Sequence, residues 1–218
     1  MSPFPHRDIL PAPQQLLWPD LAAIPAHFVL YGGTAVALHL GHRISVDFDF
    51  FATPGFEPPA LLDSLPFLQD AEILQSTANT LTVLVARDGT VKLSFFGGLG
   101  FGRVGEPRAT PDGVLRVASP LDLLATKLKT LLSRAAARDY ADLAALLRSG
   151  LTLQEGLAAA VALYGASFPI AAAVRGLCYF DDLGEELARN DQQMLMDAVR
   201  ALPLDLPEIH LASPNLAP

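Results

Sequence analysis

Asp47 and Asp49, in the stretch Val46-Asp47-Phe48-Asp49-Phe50-Phe51, have the spacing for metal chemistry. In a strand they project to one face, and Phe48 and Phe50 project to the other. The strand rise puts the two aspartate Cα atoms roughly 7 Å apart, so their carboxylates can converge on Mg²⁺. Fifteen residues upstream, Leu30-Tyr31 ends an apolar run and meets Gly32-Gly33-Thr34. The glycines permit backbone angles that a Cβ forbids. Thr34 can cap the helix that follows, whose first N–H groups are unpaired and can hold phosphate. Gly41 is a good stop for that helix. A glycine pair alone is a common turn, and two acids at a strand start can simply be solvated. Here one short helix joins the two features, which makes them neighbours in space.

The elements around this stretch predict an α/β lobe over residues 21–118, after a proline-rich arm over residues 1–20. Phe28 to Tyr31 is its first strand, and Ala60 to Leu68 a short helix with Leu61, Leu62 and Leu65 on one side. Leu81 to Ala86 and Thr90 to Phe96 pair through an Arg87-Asp88-Gly89 turn. Lys92, Ser94 and Phe96 share one face of the second strand. The glycine-rich Gly97 to Gly105 reads as a structural loop, since it lacks the Lys-Ser/Thr ending of a P-loop. Val114 to Val117 is a last short strand. His39 and His42 have the wrong spacing for a zinc helix site, so His39 reads as a packed or capping residue.

A helical lobe over residues 119–202 follows. Ser119-Pro120-Leu121-Asp122 starts its first helix, with the acid placed to favour the helix dipole. Ala135 to Leu147 is a second helix. Thr152-Leu153-Gln154-Glu155 is a capping box for a third. Further helices are expected at Ile170 to Tyr179, Leu183 to Arg189 and Gln192 to Ala201, and an extended tail over residues 203–218. Lys127 edges the leucine stripe of the first helix. It is either a lysine snorkelling along the core margin or a phosphate-binding cation. Asp139 and Asp142 share a helix face. Arg138 and Asp142, four apart, suit a surface ion pair worth ~0.3–0.5 kcal/mol.

The order GGTA, LGHRIS, DFDFF resembles the first motif of the AbiEii-type toxins, within the polymerase-β-like nucleotidyltransferase superfamily. Lys127 followed by Arg134, Arg138-Asp139 and Asp142-Leu143, after a Ser-Pro-x-Asp helix start, resembles their last motif. The resemblance implies an α+β fold: a nucleotidyltransferase-like lobe with a small mixed sheet and flanking helices, then a helical C-terminal lobe. It implies transfer of an NMP group from an NTP to a tRNA-like RNA or a protein hydroxyl, with Mg²⁺ or Mn²⁺ held by Asp47 and Asp49. Gly32, Gly33 and Thr34 would hold phosphates, and Ser45 falls inside the motif. Arg43 would orient the turn or touch phosphate. Lys127 with Asp139 or Asp142 would complete the active site in a cleft between the lobes. The choice between the two stays open, with Asp139 slightly favoured as the site-facing acid because Asp142 is the better partner for Arg138. A cognate antitoxin is the implied partner. Many superfamily members carry a third acid on the neighbouring strand, where this chain has Ser94. That departure leaves open a second reading: a nucleotide- or partner-binding module of the same fold with weak or no catalysis. A D-x-D glycosyltransferase is a third reading. It is disfavoured by the early phosphate turn and the absence of a preceding βαβ series.

The chain has 218 residues, is 51% hydrophobic and carries a net charge of −8. That charge argues against broad nucleic-acid binding. Six of the 15 Lys and Arg residues nonetheless lie between Arg116 and Arg148. The lone Cys178 excludes an internal disulfide and reads as a core residue. No signal peptide or membrane span is evident, so a soluble cytoplasmic protein is expected.

Overall fold

The computed structural model describes residues 6–181 and 187–218. The helix expected over Leu183 to Arg189 falls largely outside them. The chain divides into two compact units. One takes residues 1–102, 106–118 and 213–218; the other takes 103–105 and 119–212. Among the described residues no helix is long and apolar enough to cross a membrane.

The first unit is built on a seven-stranded mixed sheet. Its strands are β1 (Val29–Tyr31), β2 (Asp47–Phe51), β3 (Glu72–Thr77), β4 (Thr80–Ala86), β5 (Thr90–Phe96), β6 (Arg108–Ala109) and β7 (Arg116–Val117). They lie in the order β3-β4-β5-β2-β1-β7-β6. β2 runs antiparallel to β1 and parallel to β5, and β7 is parallel to β1. The alternation in β2 decides its two faces. Phe48 and Phe50 are fully buried, with Phe50 stacked on Phe95 at 5.1 Å and Phe28 edge-on to Phe95 at 5.3 Å. Such pairs add to the area term of burial.

The helices of this unit are α1 (Ala12–Leu17), α2 (Gly32–Leu40) and α3 (Pro58–Ser64). α2 stops at Gly41, whose φ of 63° is the left-handed geometry that a glycine accepts without strain. α3 begins earlier than expected, with proline in its first turn, and is followed by a separate 3-10 turn over Pro66–Leu68. β3 and β6 were not foreseen; β3 is exposed at every residue and so carries no burial alternation.

Asp112 fastens the N-terminal segment. Its Oδ2 accepts from Trp18 Nε1 at 2.8 Å and pairs with Arg7 at 2.7 Å, while Oδ1 accepts from Thr110 at 2.7 Å. Burial pushes this carboxyl up, but the hydrogen bonds from Thr110, Trp18 and Val114 and the charge of Arg7 outweigh it and hold it below its ordinary value.

The second unit is helical: α4 (Pro120–Thr130), α5 (Ala137–Arg148), α6 (Leu153–Tyr164), α7 (Ile170–Gly176) and α8 (Arg189–Arg200). Ser119 Oγ caps α4 by accepting from Asp122 N at 3.1 Å. The Asp122 carboxylate does more than favour the helix dipole. It accepts from the Ser119 hydroxyl at 2.6 Å and from the N–H groups of Val104 at 2.8 Å and Gly105 at 3.1 Å, tying residues 103–105 to α4. The capping box of α6 is present as expected. α5 starts at Ala137 rather than Ala135, because Ala136 is extended. Cys178 is exposed, correcting the core expectation. It follows the end of α7, where Leu177 takes the inward position.

Between α4 and α5 lies a buried ion cluster. Lys127 Nζ donates to Asp139 Oδ1 at 2.8 Å and pairs with Asp142 Oδ2 at 2.6 Å. Arg134 Nε donates to Asp139 Oδ2 at 2.9 Å. Both carboxylates are fully buried. Burial raises Asp139, but the charge and hydrogen bond of Lys127, then those of Arg134, reverse the balance and hold it below the usual carboxylate range.

Two outcomes are expected. Lys127→Met leaves two carboxylates buried without their shared cation and should destabilise by about 3–5 kcal/mol in denaturant unfolding. A group whose folded pKa is depressed contributes stability above its unfolded pKa, and that contribution is lost as pH falls through the folded value. Asp112→Asn should therefore lose stability at neutral pH, and should flatten the decline in Tm below about pH 4, near the ordinary aspartate pKa.

Candidate active site

In the first unit the glycine turn and the acid strand are in contact. Gly32 starts α2 with a φ of 72°, and its α-carbon lies against the Asp49 carboxylate. A Cβ there would overlap Asp49 Oδ2, so only glycine admits this approach. The next residue repeats the arrangement with opposite charge. A Cβ on Gly33 would overlap the Arg43 guanidinium and come within 3.0 Å of Ser45 Oγ. Arg43 also donates from Nη1 to the carbonyl of Ile44 at 2.9 Å.

Thr34 does not cap α2, as the sequence suggested. The helix starts two residues earlier, so Thr34 is already inside it, and its hydroxyl serves the following loop. Oγ1 is 2.9 Å from Ser45 Oγ and donates to the carbonyl oxygen of Asp47. This fixes the backbone at the start of β2. Gly32, Gly33, Thr34, Arg43, Ser45, Asp47 and Asp49 thus form one group within one unit. His39 packs as expected: its Nε2 lies 2.9 Å from the carbonyl oxygen of Ala118, and burial lowers its pKa.

The neighbouring strand completes this face. Asp47 is paired in register with Lys92, and Asp49 with Ser94. Lys92 Nζ donates to Asp47 Oδ2 at 3.2 Å. Ser94 is buried and sits opposite Asp49, where a third acid would be sought. Among the described residues no group of three or more His, Cys, Asp and Glu converges as a metal cluster. The carboxylates that this face offers are those of Asp47 and Asp49, from one strand. That set fits Mg²⁺, which keeps several waters and uses one or two carboxylates plus substrate phosphates. A cleft of about 530 Å³ lies at the other ends of β1 and β2, lined by His27, Phe28, Phe56 and Asn79 among others. It contains none of Gly32, Gly33, Thr34, Arg43, Ser45, Asp47 and Asp49.

The remaining candidates, Lys127, Asp139 and Asp142, meet one another in the second unit. Asp142 pairs with Lys127, whereas the i,i+4 spacing to Arg138 suggests a surface pair. A carboxylate at the inner edge of α5 reaches the buried ammonium instead. Arg134, to which helical spacing gives no role, joins through Asp139. It precedes α5 and folds back onto the helix's first turn, a geometry that helical spacing does not reveal.

The profile of the family described as "Nucleotidyl transferase AbiEii toxin, Type IV TA system" matches residues 16–209. An uncharacterised protein of Aquifex aeolicus strain VF5, aq_aa25, is 31% identical over 163 residues, covering 73% of this chain and 77% of that one. Two solved structures share the fold at low identity. JHP933 from Helicobacter pylori superposes with a TM-score of 0.55 at 20% identity, over 89% of each chain. MenT4, a nucleotidyltransferase toxin from Mycobacterium tuberculosis, gives 0.56 at 16% identity, over 88% of this chain and 82% of that one. With most of its length matched by the family profile, and with the glycine turn and acid pair in contact, this chain belongs to the AbiEii nucleotidyl transferase toxin family.

Proposed function

We propose that this protein transfers an NMP group from an NTP to a tRNA-like RNA or a protein hydroxyl, using Mg²⁺ or Mn²⁺ held by Asp47 and Asp49. The observation that carries the reading is the contact of the Asp49 carboxylate with Gly32. It sets an acid of the metal pair beside a helix N-terminus whose N–H groups suit phosphate. Arg43 over Gly33 adds a cation at the same turn. Gly32, Gly33 and Thr34 would bind the triphosphate through N–H groups, Arg43 would balance its charge, and Ser45 with Thr34 would hold β2 in place. The bound ion would neutralise phosphate charge and lower the pKa of the attacking hydroxyl.

The cluster of Lys127, Asp139 and Asp142 is the proposal's second group. Buried ion pairs are often no more stabilising than apolar residues of similar size, so a functional reason for keeping one is the better account. A cognate antitoxin is the partner proposed from the family. Ser94 opposite Asp49 favours a secondary reading, a nucleotide-binding protein with weak turnover.

The test is incubation with each labelled NTP, Mg²⁺, and tRNA and protein pools, with mass spectrometry reading the added NMP. Asp47→Asn and Asp49→Asn each remove charge but little volume. Each should lower transfer roughly a hundred- to a thousandfold with an unchanged melting temperature. Full transfer by either variant would overturn the metal assignment. Label bound but never transferred by the unaltered protein would favour the secondary reading.

A further inference from the structure

We propose that Lys92 is a displaceable counter-cation: it neutralises Asp47 while no metal is bound and is released to the triphosphate when one enters. This rests on the metal assignment made above. The supporting facts lie in one sheet face. β2 and β5 run parallel in register, so Lys92 stands beside Asp47 and Ser94 beside Asp49. On the far side of β5, Ser94 meets Thr82. No carboxylate from β4 or β5 thus joins the acid pair in this register, and the charge contributed by the neighbouring strand is that of Lys92.

The ion pair has the character of a temporary contact. Its distance is 3.2 Å, and the side chains of Lys92 and Asp47 are 36% and 24% exposed. Exposed pairs couple weakly, so an incoming divalent ion loses only about two- to fivefold in affinity by breaking this one. The contrast is Lys127, whose side chain is 8% exposed and which is shared by two fully buried carboxylates. Once a divalent ion holds Asp47, the lysine loses its partner and is repelled by the ion. A phosphate oxygen is then the anion it can bind, as a charge-assisted hydrogen bond. Lys92 is therefore a positioning residue with opposite effects on the two ligands. It weakens binding of the free ion and strengthens binding of the ion–triphosphate complex.

The experiment is Mn²⁺ titration of the full chain, followed by electron paramagnetic resonance, with and without α,β-methylene-ATP. The proteins are the unaltered chain, Lys92→Gln, Lys92→Arg and Asp47→Asn, each checked by thermal melting. Lys92→Gln should bind free Mn²⁺ about two- to fivefold tighter and the Mn²⁺–analogue complex several-fold weaker. Lys92→Arg should restore binding of the complex. A purely structural lysine would move both affinities the same way or neither, and that result overturns the proposal. If Lys92→Gln leaves Mn²⁺ binding unchanged while Asp47→Asn abolishes it, the proposal fails and the metal assignment survives. If Asp47→Asn binds Mn²⁺ as the unaltered chain does, the metal assignment itself fails.

Discussion

A carboxylate packed onto a bare α-carbon is the contact on which the site of the first unit depends. Asp49 occupies the space that any side chain at position 32 would fill, and Gly32 also has a backbone angle that side chains resist. The Arg43 guanidinium takes the equivalent space at Gly33. Two adjacent glycines therefore seat one anion and one cation on either side of a helix start. The hydroxyl of Thr34 then ties that helix to the carbonyl of Asp47. All these residues lie within one short stretch of chain, so little loop entropy opposes their meeting.

The charges of the second unit obey a different logic. Lys127, Asp139, Asp142 and Arg134 form a compensated set with the two carboxylates out of water, and each member holds the others in place. At the acid strand the charges remain partly hydrated and their pairing is loose. Depth of burial separates a rigid ionic cluster from a pair that can exchange partners, since the penalty for an unpaired charge grows as water is removed.

What the sequence disclosed was local. The alternation of Asp47 to Phe51, the turn at Arg87 to Gly89, the stop at Gly41 and the capping box at Thr152 and Glu155 each follow from neighbouring residues and stand in the structure. The opposition of Asp49 and Ser94 was legible only through the family resemblance, since period two assigns faces within a strand but not which strands pair. What stayed hidden depended on distant packing. β3 is exposed throughout and has no pattern to read. The depth of Lys127 is set by the carboxylates that α5 brings to it, and helical spacing alone assigned Asp142 elsewhere. Thr34 was misread because a positive-φ glycine began the helix early. Cys178 was misplaced because apolar neighbours in sequence need not be neighbours in space.

Residues 213–218 return to the first unit after the whole helical unit has been traversed. Leu216 is fully buried there, and its N–H donates to Thr53 Oγ1 at 2.9 Å. During synthesis the seat of Leu216 beside Thr53 must therefore stay empty until the second unit has been made and this strap emerges. A nascent chain thus carries its acid strand well before this strap can dock, and the time taken to make the helical unit sets the shortest delay before the first unit is complete.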